Sequence, residues 1–207
     1  MLRAGGVSLS TASLMVMVAA GAAQANTASF KLLRSNGLPA GCAASATATV
    51  KVATQPGADN FAEKMSVTVS GLAAHTALDI FVVQIPNAPF GLSWYVGDLE
   101  ADAYGKVTRT FVSRFNHETF AVAPGAAQAP TPDGSKDASI NPAFKPLHTF
   151  HVGIWFNSPA DALKNGSQCP ATVTPFNGDH TAGVQVLSSR NAANSNNLTG
   201  PLKNVHD

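Results

Sequence analysis

Apolar and polar side chains alternate with a period of two in several short stretches of the chain. Ala48, Val50 and Val52 alternate with Thr47, Thr49 and Lys51, and Met65, Val67 and Val69 alternate with Ser66, Thr68 and Ser70. Successive side chains of a strand point to opposite faces, so this pattern predicts two strands with one face buried and one in solvent. Gly71 ends the second pattern, and Leu78 to Ile85 forms an apolar run closed by Pro86. An apolar run of that length between breakers predicts a strand covered on both faces. After the turn Asp102-Ala103-Tyr104-Gly105, Val107 to Phe115 predicts a further strand. His148 to Phe156 predicts another, with Phe150, Val152, Ile154 and Phe156 on one face, and Val184 to Leu187 the last. Helical spacing is confined to Ser158–Lys164, where Ser158 suits the N-cap and Pro159 the first helical position.

Short strands separated by Gly, Pro and Asn turns predict an all-β fold. The arrangement expected is an antiparallel β-sandwich of the immunoglobulin-like, Greek-key kind, with a small β-barrel as the alternative. Around this framework the chain divides into residues 1–25 as a signal peptide, 26–187 as a single domain with a long loop at 123–147, and 188–207 as a flexible polar tail. The signal reading rests on Arg3, the apolar core Leu14–Ala20 and the small-x-small site Ala23-Gln24-Ala25. That core is shorter than the roughly 20 residues a membrane span needs, so the mature chain is expected to be soluble. The loop is rich in Ala, Pro, Asp and Ser, and the tail is rich in Asn.

Charge narrows the partners. The chain has 13 Lys and Arg against 12 Asp and Glu, and loss of Arg3 with the signal makes the two equal. Such a balance argues against nucleic acid and against a polybasic membrane-surface role. Cys42 and Cys169 are the two cysteines. An even count in an exported chain predicts one disulfide, and the absence of a Cys-x-x-Cys spacing argues against a thiolate metal site.

The side chains offer three kinds of chemistry. For catalysis, Gly91-Leu92-Ser93-Trp94-Tyr95 approaches a nucleophile elbow but lacks its second glycine. Asp98, Glu100 and Asp102 offer carboxylates in alternate positions of a strand, the raw material of a glycan-active hydrolase or simply a solvated edge. For metal, His148 and His151 with Asp179 or His180 form the candidate set, although three residues along a strand separate the first two onto opposite faces. The other histidines are His75, His117 and His206. For binding, Pro86 to Tyr95 holds Phe90, Trp94 and Tyr95 on a stretch stiffened by two prolines. Such aromatic groups serve protein or glycan recognition, or else plug one end of the fold. Trp155 is out of register with Phe150, Val152 and Ile154 and belongs to the opposite sheet face. Sequons stand at Asn165 and Asn197.

The run Gly71-Leu72 through Tyr95, with Asn157-Ser158-Pro159-Ala160-Asp161-Ala162 and Thr174-Pro175-Phe176-Asn177-Gly178, resembles a group of exported bacterial β-domain proteins to which no activity is attached. It implies no catalytic residue. The Val67–Val83 passage is similar to the strand–Gly-Leu–strand segment of fibronectin-type modules. The expectation is therefore a secreted or periplasmic binding or cell-envelope interaction module without intrinsic catalysis or cofactor. Its binding residues would be Phe90, Trp94, Tyr95 and Trp155, and its partner an extracellular protein or glycan. The alternatives are the histidine metal site and, third, glycan hydrolysis.

Overall fold

The computed structural model describes Met1 and residues 27–54, 63–91, 93–113, 115, 151–190 and 200–204. The signal segment, the 123–147 loop, His117, His148, Asn197 and His206 lie outside the described residues, as does much of the tail. The described residues form eight strands: β1 (Thr27–Arg34), β2 (Thr47–Thr54), β3 (Glu63–Ser70), β4 (Ala77–Val83), β5 (Ser93–Glu100), β6 (Val107–Ser113), β7 (His151–Phe156) and β8 (Gln185–Ser188). One short helix, α1 (Pro159–Lys164), follows β7.

Alternation does what it predicts. Ala48, Val50 and Val52 of β2 stand opposite Val69, Val67 and Met65 of β3, and all six are buried. Ser66 and Thr68 face outward, where their hydroxyls meet Thr110 and Thr108 of β6 at 2.8 and 3.0 Å. β4 is buried at nearly every position, as an apolar run covered on both faces must be.

All pairings are antiparallel, in the order β5-β4-β7-β8-β1-β2-β3-β6. β1 turns the corner: Thr27–Leu32 pair with β2, and Leu33–Arg34 pair with β8. The end strands β5 and β6 are joined by a tight turn in which Asp102 and Lys106 are bonded through their backbones. Arg109 Nη1 of β6 donates to the Asp98 carbonyl of β5 at 2.5 Å, and the Phe111 ring packs over Gly97. A Cβ on Gly97 would lie 2.6 Å from Phe111 Cε1, so only glycine lets the ring reach across this seam. The sheet is thus curled into a nearly closed barrel. The all-β expectation holds, and the small barrel fits this strand order; the immunoglobulin-like sandwich draws no support from it.

Inside the barrel lie Leu32, Val50, Met65, Ile80, Ile154 and Leu187, and Phe115 and Leu202 join the same buried core. Leu202, in a single 3-10 turn at Pro201–Asn204, is fully buried. Ser188 and Ser189 are buried too. The core therefore draws on the stretch read as a flexible polar tail, because one large apolar side chain in it finds a place inside. Cys42 and Cys169 form the expected disulfide across 127 residues. Ser158 caps α1 by accepting from the Asp161 N–H at 3.1 Å, with Pro159 in the first turn.

Candidate binding face

The outer surface of β5, β4, β7 and β8 carries most of the chemistry in the described residues. Residues directly opposite one another on neighbouring strands share a face. One row runs Asp98, Asp79, Trp155, Gln185, and the next runs Tyr95, Phe81, Gly153, Ser188. Two bulges make these rows possible. In β5 the pairing shifts so that Gly97 faces Ile80 and Tyr95 faces Phe81, leaving Val96 as the extra residue. Without it, Tyr95 and Asp98 would point to opposite sides. With it, Tyr95 Oη donates to Asp98 Oδ1 at 2.5 Å. β8 repeats the device: Val186 is the extra residue, Val186 and Leu187 both enter the core, and Gln185 and Ser188 both face out. Gln185 Nε2 and Ser188 Oγ then donate to the Pro86 carbonyl at 3.3 and 2.9 Å. Those bonds pin the 84–91 loop onto the sheet.

Under that loop lies an aromatic cluster separate from the barrel core. Trp155 is stacked on Phe176 with ring centroids 4.1 Å apart and planes 6° apart. Phe81 and Phe90 meet the same indole edge to face, at 5.4 and 5.0 Å, and Tyr95 meets Phe81 at 5.5 Å. The indole lies across Gly153, where a Cβ would stand 2.5 Å from Trp155 Cζ3. Trp155 is thus on the outer face, as its register predicts, yet it is fully buried beneath Phe90 and Phe176. Beside it a cleft of about 470 Å³ lies between residues 35–38, 87–90 and 170–185. Trp155 Nε1 is the one buried side-chain polar atom among the described residues without a hydrogen-bond partner.

Next to the aromatic groups is a carboxyl pair that the sequence did not reveal. Asp79 is 1% exposed. Burial, then the neighbouring Asp98 charge and hydrogen bond, then Asp161, push its pKa up to about 7. The Asn157 amide, with its nitrogen turned to Asp79, donates to both carboxyl oxygens at 3.2 and 3.3 Å. Burial and the hydrogen bond to Asp98 likewise raise the Tyr95 hydroxyl well above its ordinary range. Asp161 is held below the usual carboxylate range despite the opposing effect of burial, by its bonds from Lys164, Ser158 and the Ala77 N–H. The lone charge inside the Leu78–Ile85 run was the available signal for Asp79.

The sequence-predicted residues separate. Phe90, Tyr95 and Trp155 join one aromatic network, but Trp94 faces Val82 and so lies on the other side of β5. Trp94 and Tyr95 are each 46% exposed; Trp94 shares the core-side face with Val82 and stands at the open seam of the barrel, where β5 has no ladder partner on that side. Asp98 and Glu100 are exposed on β5 with Leu99 buried between them. Asp102 instead holds the next turn, accepting from the Tyr104 and Lys106 N–H groups at 2.8 and 3.0 Å. His151 is buried, its Nδ1 3.0 Å from Ser189 Oγ, while Asp179 and His180 are exposed. No three His, Cys, Asp or Glu side chains converge as a metal site among the described residues. The Asn165 side chain accepts from the Ala73 N–H and donates to Thr76 and to the Asp161 carbonyl, so a glycan on its nitrogen would remove at least one of the two donated bonds.

No protein-family model matches this chain, and no curated protein or solved structure is significantly similar to it.

Proposed function

We propose that this domain is an exported binding module, without intrinsic catalysis, that contacts an extracellular protein or glycan through the open edge at β5. The observation that carries this reading is the pair Trp94 and Tyr95, two half-exposed aromatic side chains at consecutive positions of a seam strand. Aromatic groups on a rigid strand offer large contact area with little entropy to lose. Tyr95 is further held in place by Asp98. Work outside the cytoplasm is supported by the Cys42–Cys169 bond, which persists in oxidising compartments. No helix among the described residues is long and apolar enough to cross a membrane.

Trp94→Ala and Tyr95→Ala test the reading. Labelled protein is titrated against a glycan array and against envelope polysaccharide from the producing cell, with stability measured in parallel. Trp94→Ala is expected to cost about 1–2 kcal/mol, less than the roughly 3–5 kcal/mol of emptying a fully buried aromatic site, because the ring is half exposed. It is also expected to weaken binding roughly 10-fold or more, as loss of an aromatic anchor does. Undiminished binding in both variants would remove this edge as the contact surface.

A further inference from the structure

We infer that the cleft beside Trp155 is a separate small-molecule site, taking a neutral, flat, mainly apolar ligand with a carbonyl-type acceptor for the indole N–H. It lies behind the 84–91 loop and uses neither Trp94 nor Tyr95, so it stands or falls independently of the β5 edge.

Four observations lead there. The cleft's volume of about 470 Å³ falls within the roughly 300–1,000 Å³ of small-ligand pockets. None of the described residues that line it carries a charge, and an unpaired ion brought into such a place would lose its hydration without return. That selects a neutral ligand. Its walls include the rings of Phe90 and Trp155 with Leu38, Pro170 and Val184, surfaces that favour a flat apolar body. The polar side chains around it are largely spent: Gln185 accepts from Ser35 at 2.9 Å and donates to Pro86, and Thr174 donates to the Gly183 carbonyl at 2.7 Å. Trp155 Nε1 is the exception. An indole N–H is a donor only, and a buried donor without a partner is a cost that an acceptor on the ligand removes.

Access follows from Phe90. Its ring meets the indole at 75°, and it is only partly buried at the end of a loop that lines the cleft. Trp155 Nε1 has almost no accessible surface of its own, so the ligand reaches it from the cleft only by turning the Phe90 ring aside.

The probe is coumarin, a neutral planar lactone, compared with naphthalene, which has a similar shape and no acceptor. The mature protein carries two tryptophans, so its nitrogen-15 spectrum holds two indole N–H signals, assigned with Trp155→Phe. Coumarin is expected to move the Trp155 signal saturably and leave the Trp94 signal in place, while naphthalene moves it less. Trp155→Phe keeps a ring but not the donor, and is expected to bind coumarin roughly 2- to 10-fold more weakly, the worth of one hydrogen bond. If that variant does not fold, Asn36→Trp decides the matter: Asn36 is exposed on the rim, and a tryptophan there is expected to block coumarin altogether. An unmoved Trp155 signal in the parent protein, or Asn36→Trp binding coumarin as tightly as the parent, overturns the proposal. Either result leaves the Trp94 experiment untouched.

Discussion

A carboxyl group buried at Asp79 beside Asp98 keeps its proton to about pH 7, and the folding equilibrium responds to that. In the unfolded chain the same group ionises near its ordinary value of 3.8. Between those two values the folded state holds the extra proton, so stability falls as pH rises through the interval and levels off above it. The contribution of neutral Asp79 is complete below the lower value and gone above the upper one. Asp161 has the opposite sign, because its lowered pKa stabilises above the ordinary range and is lost in acid. Asp79→Asn is therefore expected to flatten the decline between pH 4 and 7. It should raise Tm by a few degrees at pH 8 relative to the parent while changing little at pH 4. Thermal melts across that range check it; a decline as steep as the parent's would show that another group carries the effect.

At the scale of elements, α1 is six residues long, too short to persist without help. It is held by its cap and by what it delivers. Ser158 accepts from the Asp161 N–H, Asp161 reaches the Ala77 N–H at the start of β4, and Asn165 closes onto Ala73 and Thr76. The helix thereby fixes the entry to the strand that carries Asp79 and Phe81. Ser158→Ala is expected to cost about 1 kcal/mol, the usual worth of an N-cap, and Ser158→Thr to recover most of it. Chemical denaturation of the three proteins is the measurement. The bulges in β5 and β8 work at the same scale. Each sets residues three apart onto one face, which builds the Tyr95–Asp98 bond in one strand and the double grip on Pro86 in the other.

Across the whole molecule, the sheet is curled nearly shut by β1 passing from one set of strands to the other and by the side-chain contacts at the β5–β6 seam. The disulfide adds a covalent tie between the 36–46 turn and the segment after α1. A crosslink acts chiefly by restricting the unfolded chain, and so long a loop sits near the upper end of the effect. Replacing Cys42 and Cys169 by Ala is expected to cost about 2–5 kcal/mol, seen as a lower guanidinium midpoint matched by the parent under reductant. Intact mass before and after reduction should show the bond itself. Two thiols alkylated without reductant would contradict it.

Alternation along β2 and β3, the covered run of β4, the capped turn at Ser158 and the pairing of two lone cysteines were all legible in the sequence. Each depends on residues close together in the chain or on there being a single choice. The outer placement of Trp155 was legible too, from its register in β7. Its burial was not, because Phe176 and Phe90 cover it from loops that a period of two does not describe. Nor was the Asp79–Asp98 pair, since which strand lies beside β4 is a matter of topology. The separation of Trp94 from Tyr95 follows from alternation, but their exposure depends on β5 lying at the seam. Tyr95 and Asp98 share a face because one extra residue in β5 reverses the alternation between them. Side-chain direction is local, whereas neighbours across strands are set by the closure of the sheet, and the carboxyl pair and the cleft beside Trp155 are both made of such neighbours.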